Sequence, residues 1–289
     1  MGSITGKTKV IGIFGYPVEH SFSPVMHNRA FDLLGLDCCY VPFPVKPEEL
    51  EAATAAIRAL GLAGVNVTIP HKERVMPFLD EISKEAGIIG AVNTIVNDNG
   101  RLIGYNTDGQ GFLQSMRVEA GTDPAGKKVT LIGAGGAARS VAVQLALAGA
   151  REMALFDIVA ERPQSIQKVI SENTSCTAYA ATLESGTLKE HLANTDILIN
   201  ATPIGMYPKA EVPPVVAPEL ISAAMLVCDL VYNPLETTLI RVAGEKGAKT
   251  LPGLGMLVYQ GALAFKLWTG QEPPVDQMRE AIIDYLGLG

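Results

Sequence analysis

The segment that most restricts the fold is Lys128-Val-Thr-Leu-Ile132, which runs directly into Gly133-Ala-Gly-Gly-Ala-Ala-Arg139 and then into the Ala-rich stretch 140–148. A short apolar run, a glycine turn and a helical stretch in that order make the first half of a βαβ unit. Gly133 permits the tight turn, Gly135 lets the backbone approach a pyrophosphate, and Ala138 takes the third small position where helix meets strand. The helix start then offers N–H groups and the positive end of its dipole to an anion. The next apolar run closes on Asp157, 24 residues beyond Gly133, near the offset at which an acid meets the adenosine ribose hydroxyls. Asp157 also fits a helix N-cap, and the two roles are compatible.

Other short apolar runs, at 10–14, 64–69, 153–156, 197–199 and 226–230, are bounded by Gly, Pro or Asn and read as buried strands. Stretches with helical spacing lie between them at 47–60, 137–148 and 235–246, and this alternation predicts an α/β fold built around parallel sheets. The polar, glycine-containing stretch 119–127 is the expected junction between two domains, and the helical segments 255–268 and 276–286 fit against either. With 289 residues, 48% of them hydrophobic, packed cores are expected. A net charge of -7 leaves no basic surplus for a nucleic acid. No apolar run is long enough to span a membrane and the N-terminus reads as no signal peptide, so a soluble, cytoplasmic protein is expected. Cys38, Cys39, Cys176 and Cys228 lack CxxC spacing, so reduced thiols and no metal site are expected.

Three further segments carry polar residues where strand ends would present them: Gly15-Tyr-Pro-Val-Glu-His-Ser-Phe-Ser-Pro-Val-Met-His-Asn28, Asn66-Val-Thr-Ile-Pro-His-Lys72, and Gly90-Ala-Val-Asn-Thr94 with Asn106-Thr-Asp-Gly109. Taken singly, Ser21 and Ser23 also suit turn or N-cap positions, and Asn66, Asn93 and Asn106 suit turns.

Taken together, with Asn200-Ala-Thr-Pro-Ile-Gly-Met206 and Leu251-Pro-Gly-Leu-Gly-Met-Leu-Val-Tyr-Gln260, these segments closely resemble the shikimate/quinate dehydrogenase family over nearly the whole chain. The resemblance implies an N-terminal α/β substrate domain over 1–115, completed by C-terminal helices at 256–289, with a Rossmann NAD(P)-binding domain over 116–255. It implies an oxidoreductase that interconverts shikimate and 3-dehydroshikimate by hydride transfer with a nicotinamide cofactor, as a monomer or homodimer whose partner is its small-molecule substrate. Residue by residue, it gives the substrate carboxylate to Ser21 and Ser23 with Tyr232 nearby, and the ring hydroxyls to Thr68, Asn93 and Gln260. Lys72 and Asp108 would be the catalytic pair. Gly133, Ala134, Gly135, Gly136, Ala137, Asp157, Thr202, Val231, Gly253 and Met256 would hold the cofactor. Hydroxyl and amide side chains both donate and accept, which suits a dense polyol.

Oxidising a secondary alcohol sends a hydride to the nicotinamide and a proton to a base. Lys72 follows Pro70 at what reads as a helix start, where the dipole and partial burial would lower the amine's pKa while Asp108 would oppose the shift. His71 is expected to pack behind the site, and His20 and His27 to fix the serine segment; Ser115 and Met116 receive no role. Many NADP-using members of the family carry Asn-Arg-Thr after the second Rossmann strand, where this chain has Asp157-Ile-Val159. A carboxylate repels a 2′-phosphate, so NAD is expected to be preferred, with Arg162 as the group through which NADP could still bind. Quinate, alone or beside shikimate, is the alternative substrate, ahead of an amino-substituted shikimate. A catalytically silent ligand-sensing homologue and a folate-acting two-domain dehydrogenase are the alternatives in kind; Lys72 with Asp108 argues against the first, and the serine pair with Gln260 against the second.

Overall fold

The computed structural model describes residues 4–287. The chain divides into two compact units, one formed by residues up to Thr107 together with those from Val258 onward, the other by Asp108–Leu257. Its boundaries differ from the expected 115/116 and 255/256. The first moves because a whole helix, rather than a linker, starts at Asp108 and packs on the glycine-loop helix: a Cβ on Gly109 would collide with the Ser140 carbonyl.

The first unit begins with β1 (Lys9–Gly15), α1 (Ser23–Leu33), β2 (Cys38–Pro44), α2 (Leu50–Ala59) and β3 (Gly64–Val67). It continues with β4 (Glu81–Ile82), α3 (Lys84–Ile89), β5 (Thr94–Asp98) and β6 (Arg101–Tyr105). The strands form one sheet in the order β2-β1-β3-β5-β6-β4. β1 runs parallel to β2 and β3, whereas β5 is antiparallel to β3 and β6. Asn99 and Gly100, with φ of 52° and 93°, close the β5–β6 hairpin, as a two-residue turn between twisted strands requires. Phe14, Val65, Val67 and Ile95 pack with Leu50 and Ile57 of α2 in one core of this unit.

The second unit contains α4 (Asp108–Val118), β7 (Lys128–Ile132), α5 (Gly136–Leu147), β8 (Glu152–Asp157), α6 (Glu161–Asn173), β9 (Thr177–Thr182) and α7 (Leu188–Leu192). After these come β10 (Ile197–Asn200), β11 (Leu226–Asp229), α8 (Thr238–Glu245) and β12 (Lys249–Leu251). All six strands are parallel, in the order β12-β11-β10-β7-β8-β9. The chain thus winds outward from β7 in one direction and then returns to build the other side from β10. That reversal sets the topological switch point at the C-terminal ends of β7 and β10, the usual ligand position in a doubly wound sheet. β7, β8, β10 and β11 are almost wholly buried and rich in Val, Ile and Leu, as strands covered on both faces are.

The last helices are α9 (Leu254–Thr269) and α10 (Val275–Tyr285). Within the first unit, Trp268 donates its indole N–H to the Ile95 carbonyl at 3.0 Å and Phe265 stacks on Phe31. α10 packs along α1, with Tyr285 edge-on to Phe22. Among the described residues no helix is long and apolar enough to cross a membrane.

Candidate active site

In the second unit the glycine turn is built as its composition demands. Gly133 has φ 95°, and a Cβ there would lie 2.8 Å from the Ala201 backbone, so only glycine fits. Its N–H donates to the Phe156 carbonyl at 2.7 Å, while the Ala201 N–H donates to Ile132 at 2.7 Å. α5 starts at Gly136 with no side-chain cap and no acid in its first turn, so its leading N–H groups keep their capacity to bind an anion. Cβ atoms added to Gly135 and Gly136 would meet nothing within 4 Å. This open, uncapped helix start fits the pyrophosphate of a dinucleotide.

Asp157, at the end of β8, braces the same turn. One carboxylate oxygen accepts the Ala134 N–H at 2.7 Å and the other the Val159 N–H at 3.0 Å. The Arg162 guanidinium lies 3.8 Å from it, and Ile158 is 78% exposed. Each oxygen retains a further lone pair for a ribose hydroxyl.

On the other side of β7 the loops after β10 and β11 carry Thr202, Val231 and Tyr232. Asn200 Oδ1 accepts both the N–H and the hydroxyl of Thr202, at 3.0 and 2.7 Å. A Cβ on Gly253 would lie 2.6 Å from the Leu230 and Val231 carbonyls, so glycine lets the two loops close on each other. Burial pushes the Tyr232 phenol up, and Met256 is at the edge of burial.

The first unit gathers a different chemistry. Tyr40 donates its hydroxyl to Asn66 Oδ1 at 2.6 Å, and Asn66 Nδ2 donates to the Asn93 carbonyl at 3.1 Å and to Thr94 Oγ1 at 3.0 Å. Asn93 Oδ1 accepts the Thr107 N–H at 2.8 Å, and Asn93 Nδ2 donates to Thr107 Oγ1 at 2.9 Å and to Gln260 Oε1 at 3.4 Å. Every member is neutral and buried. Such a network fixes which atom of each amide faces outward.

Ser23 is the first helical residue of α1, ahead of Pro24, and Ser21 closes the preceding turn by accepting the Ser23 N–H at 3.3 Å. Thr68 follows β3, where a Cβ on Gly15 would collide with its methyl group. Lys72 belongs to this unit and Asp108 opens the next. One expectation is corrected here: no helix starts at Lys72. Residues 69–75 form turns, because the His71 N–H bonds back to Thr68 and the Val92 N–H takes the Lys72 carbonyl. His71 is fully buried with Nε2 2.7 Å from the Val45 carbonyl.

Tyr40, Thr107, Asn200 and Asp229 belong to these arrangements and were not singled out from the sequence. Thr107 and Asn200 stand inside quoted motifs and Asp229 in a strand run, but Tyr40 lies in β2 with no local signal to mark it.

Three family models match the chain: the shikimate dehydrogenase substrate binding domain over residues 13–95, shikimate/quinate 5-dehydrogenase over 117–212, and the shikimate 5′-dehydrogenase C-terminal domain over 253–283. A Desulforamulus reducens protein named shikimate dehydrogenase (NADP(+)) is 51% identical over 286 residues, 99% of this chain and 98% of that one. This chain belongs to the shikimate/quinate dehydrogenase family. A crystal structure of the family's Listeria monocytogenes shikimate 5-dehydrogenase with shikimate and NAD superposes with a TM-score of 0.93 at 40% identity, covering 98% of this chain and 99% of that one. A shikimate dehydrogenase in complex with NADP+ matches at 0.90 and 47%, covering 98% and 97%. Both nicotinamide cofactors thus occur in solved structures similar to this chain. The family's architecture, a substrate domain and a Rossmann-like dinucleotide-binding domain, accounts for the two sheets.

Proposed function

We propose that this protein interconverts shikimate and 3-dehydroshikimate by hydride transfer with a nicotinamide dinucleotide, with NAD preferred over NADP. The observation that carries the reading is the pairing in one family member of an uncapped glycine-turn helix start with a buried network of neutral amides and hydroxyls. The first suits an anionic dinucleotide, the second an uncharged polyol ring.

When bound, the nicotinamide supplies the hydride acceptor. Ser21 and Ser23, with Tyr232, bind the substrate carboxylate; Thr68, Asn93 and Gln260 bind ring hydroxyls and orient the carbinol carbon. Lys72 Nζ takes the hydroxyl proton as the carbonyl forms and returns it in the reverse direction, while Asp108 orients the amine. Gly133 to Ala137 hold the pyrophosphate, and Asp157 faces the adenosine ribose while Thr202, Val231, Gly253 and Met256 hold the other half. Asp157 supports the NAD preference because its carboxylate would repel a 2′-phosphate, and exposed Ile158 offers that phosphate no donor. Arg162, 57% exposed and beside Asp157, is the observation that favours NADP as a second cofactor. The four described cysteines are free thiols, in keeping with a cytoplasmic enzyme.

An initial-rate matrix of shikimate and quinate against NAD and NADP tests the reading. We expect turnover with shikimate and a catalytic efficiency at least about tenfold higher with NAD, roughly 1.4 kcal/mol. Turnover of quinate alone would overturn the substrate, and preference for NADP would show that Asp157 only braces the turn while Arg162 takes the phosphate.

A further inference from the structure

Asp229 stands at the end of β11, 1% exposed, where three loop segments meet. Its Oδ1 accepts from Asn200 Nδ2 and from the Val231 N–H, each at 3.0 Å, and its Oδ2 accepts from the Thr237 hydroxyl at 2.7 Å. No cationic side chain pairs with it among the described residues. Burial accordingly pushes its carboxyl up to about 6. A buried carboxylate without a cation is costly, so something must require that group here.

The polarity of its partners supplies the reason. The Val231 N–H can only donate. Asn200 must present its NH2, because its Oδ1 already accepts both donors of Thr202. Thr237 Oγ1 accepts the Ile240 N–H as the cap of α8 and turns its own proton toward Asp229. Two donors that cannot be reversed and a hydroxyl proton converge on one side chain, and a carboxylate accepts all three without offering a hydrogen in return. An amide of the same shape could serve the Asn200 and Val231 donors with its one oxygen only by setting its N–H against Thr237, whose hydroxyl would have to turn its proton away.

The sheet order shows which ligand half these loops serve. The glycine turn lies at β7 and Asp157 at β8, so adenosine extends to that side; the remaining half of a dinucleotide then extends the opposite way, over β10 and β11. Resting on the cofactor reading above, we propose that Asp229 is a positioning residue for the nicotinamide half of the dinucleotide, locking Thr202 through Asn200 and the Val231 backbone directly. It touches neither substrate nor cofactor. Its action is to keep two contact loops in one arrangement, so that binding does not have to order them.

Equilibrium binding of NADH and of ADP to the whole protein tests this, because ADP reaches only the glycine turn and the Asp157 side. In Asp229→Asn we expect NADH affinity to fall by about tenfold or more, as an unmatched buried donor dictates, with ADP affinity changed less than about twofold. A general loss of fold would lower both ligands together. Equal loss of both, or loss of neither, overturns the inference. Should Asp229→Asn prove unstable, Asn200→Ala cuts the link to Thr202 alone and must show the same selective loss; if it does not, the inference fails. Failure of the unsubstituted protein to bind NADH while binding ADP would instead overturn the cofactor reading on which it rests.

Discussion

The two units solve the same problem, holding polar groups rigid at the ends of buried strands, by opposite means. In the parallel sheet, carboxylates at strand ends do the bracing: Asp157 ties the glycine turn to β8, and Asp229 ties the loops after β10 and β11 to α8. Their partners are backbone N–H groups, joined at Asp229 by the Asn200 amide and the Thr237 hydroxyl. In the mixed sheet the bracing described above runs through the neutral side chains of Tyr40, Asn66, Asn93, Thr94 and Thr107. Under the function proposed above, charge braces the residues assigned to the dinucleotide, and neutral dipoles brace those assigned to the substrate's ring hydroxyls.

The sharpest way to break this contrast is to remove the charged pair assigned to chemistry. Lys72→Ala and Asp108→Ala should each lower kcat by roughly 10²–10⁴-fold, the usual contribution of acid–base catalysis. The double variant should be little worse than either, since the two act as a unit. Turnover within a few-fold of normal in Lys72→Ala would return that lysine to the surface.

Acid should then separate the units by sign. His27 is fully buried among Phe31, Tyr40, Phe265 and Trp268, neither ring nitrogen has a hydrogen-bond partner, and burial lowers its pKa from 6.5 to about 3. Its folded value lies below its unfolded one, so its contribution is complete above pH 6.5 and is lost as pH falls toward 3, by up to about 5 kcal/mol. Asp229 runs the other way. Its folded value near 6 exceeds the unfolded 3.8, so its contribution is complete below the lower value and is lost as pH rises through 6, about 3 kcal/mol in all. The single tryptophan, Trp268, reports the first unit. Denaturant midpoints from its fluorescence should drop between pH 7 and 5, while hydrogen-exchange protection factors in β10 and β11, corrected for the slower intrinsic exchange in acid, should rise. A fall of equal size in both units would remove the distinction.

Smaller effects sharpen it. Asp157→Asn with Ile158→Arg should erode a tenfold NAD preference or reverse it, by removing the repulsion and adding a guanidinium fork, as read from kcat/KM with both cofactors. Tyr40→Phe keeps the ring stacked 4.6 Å from His27 and deletes the hydroxyl that bonds Asn66 and Ser23. We expect KM for shikimate to rise about fivefold, near 1 kcal/mol, with kcat almost unchanged. An unaltered KM would mean that Asn66 holds its orientation without help.

This contrast also explains what could be read from the chain. Strand, glycine turn, helix and acid of the dinucleotide half occupy one contiguous stretch, so β7, α5 and β8 emerged within a residue or two of the expected positions. The buried parallel strands β10 and β11 were equally visible as apolar runs. By contrast β2 carries Pro42 and Pro44, β4 has two residues, and β9 at the other sheet's edge reads Thr-Ala-Tyr-Ala-Ala-Thr. Edge strands need no continuous apolar run, and these escaped notice. The neutral network joins positions 40, 66, 93, 107 and 260, which only tertiary structure brings together. Motif resemblance marked Asn93 and Gln260 and enclosed Thr107 without giving it a role, but nothing local marked Tyr40. At Lys72, proline spacing suggested a helix, whereas bonds from His71 and Val92 hold a turn.

One property of the layout reaches beyond catalysis. The parallel-sheet unit is a single stretch, Asp108–Leu257, but its neighbour is interrupted and needs residues from Val258 onward. During synthesis the later-started unit therefore has all its residues first. The earlier one waits with Phe31, Tyr40 and His27 lacking Phe265 and Trp268, the rings that will cover them. For that interval the nascent chain displays an aromatic patch of the kind chaperones engage. Ribosome-bound chains ending at Leu257 and carried clear of the exit tunnel by an added linker should accordingly protect β7 to β12 from proteolysis while leaving α1 and β2 open to it.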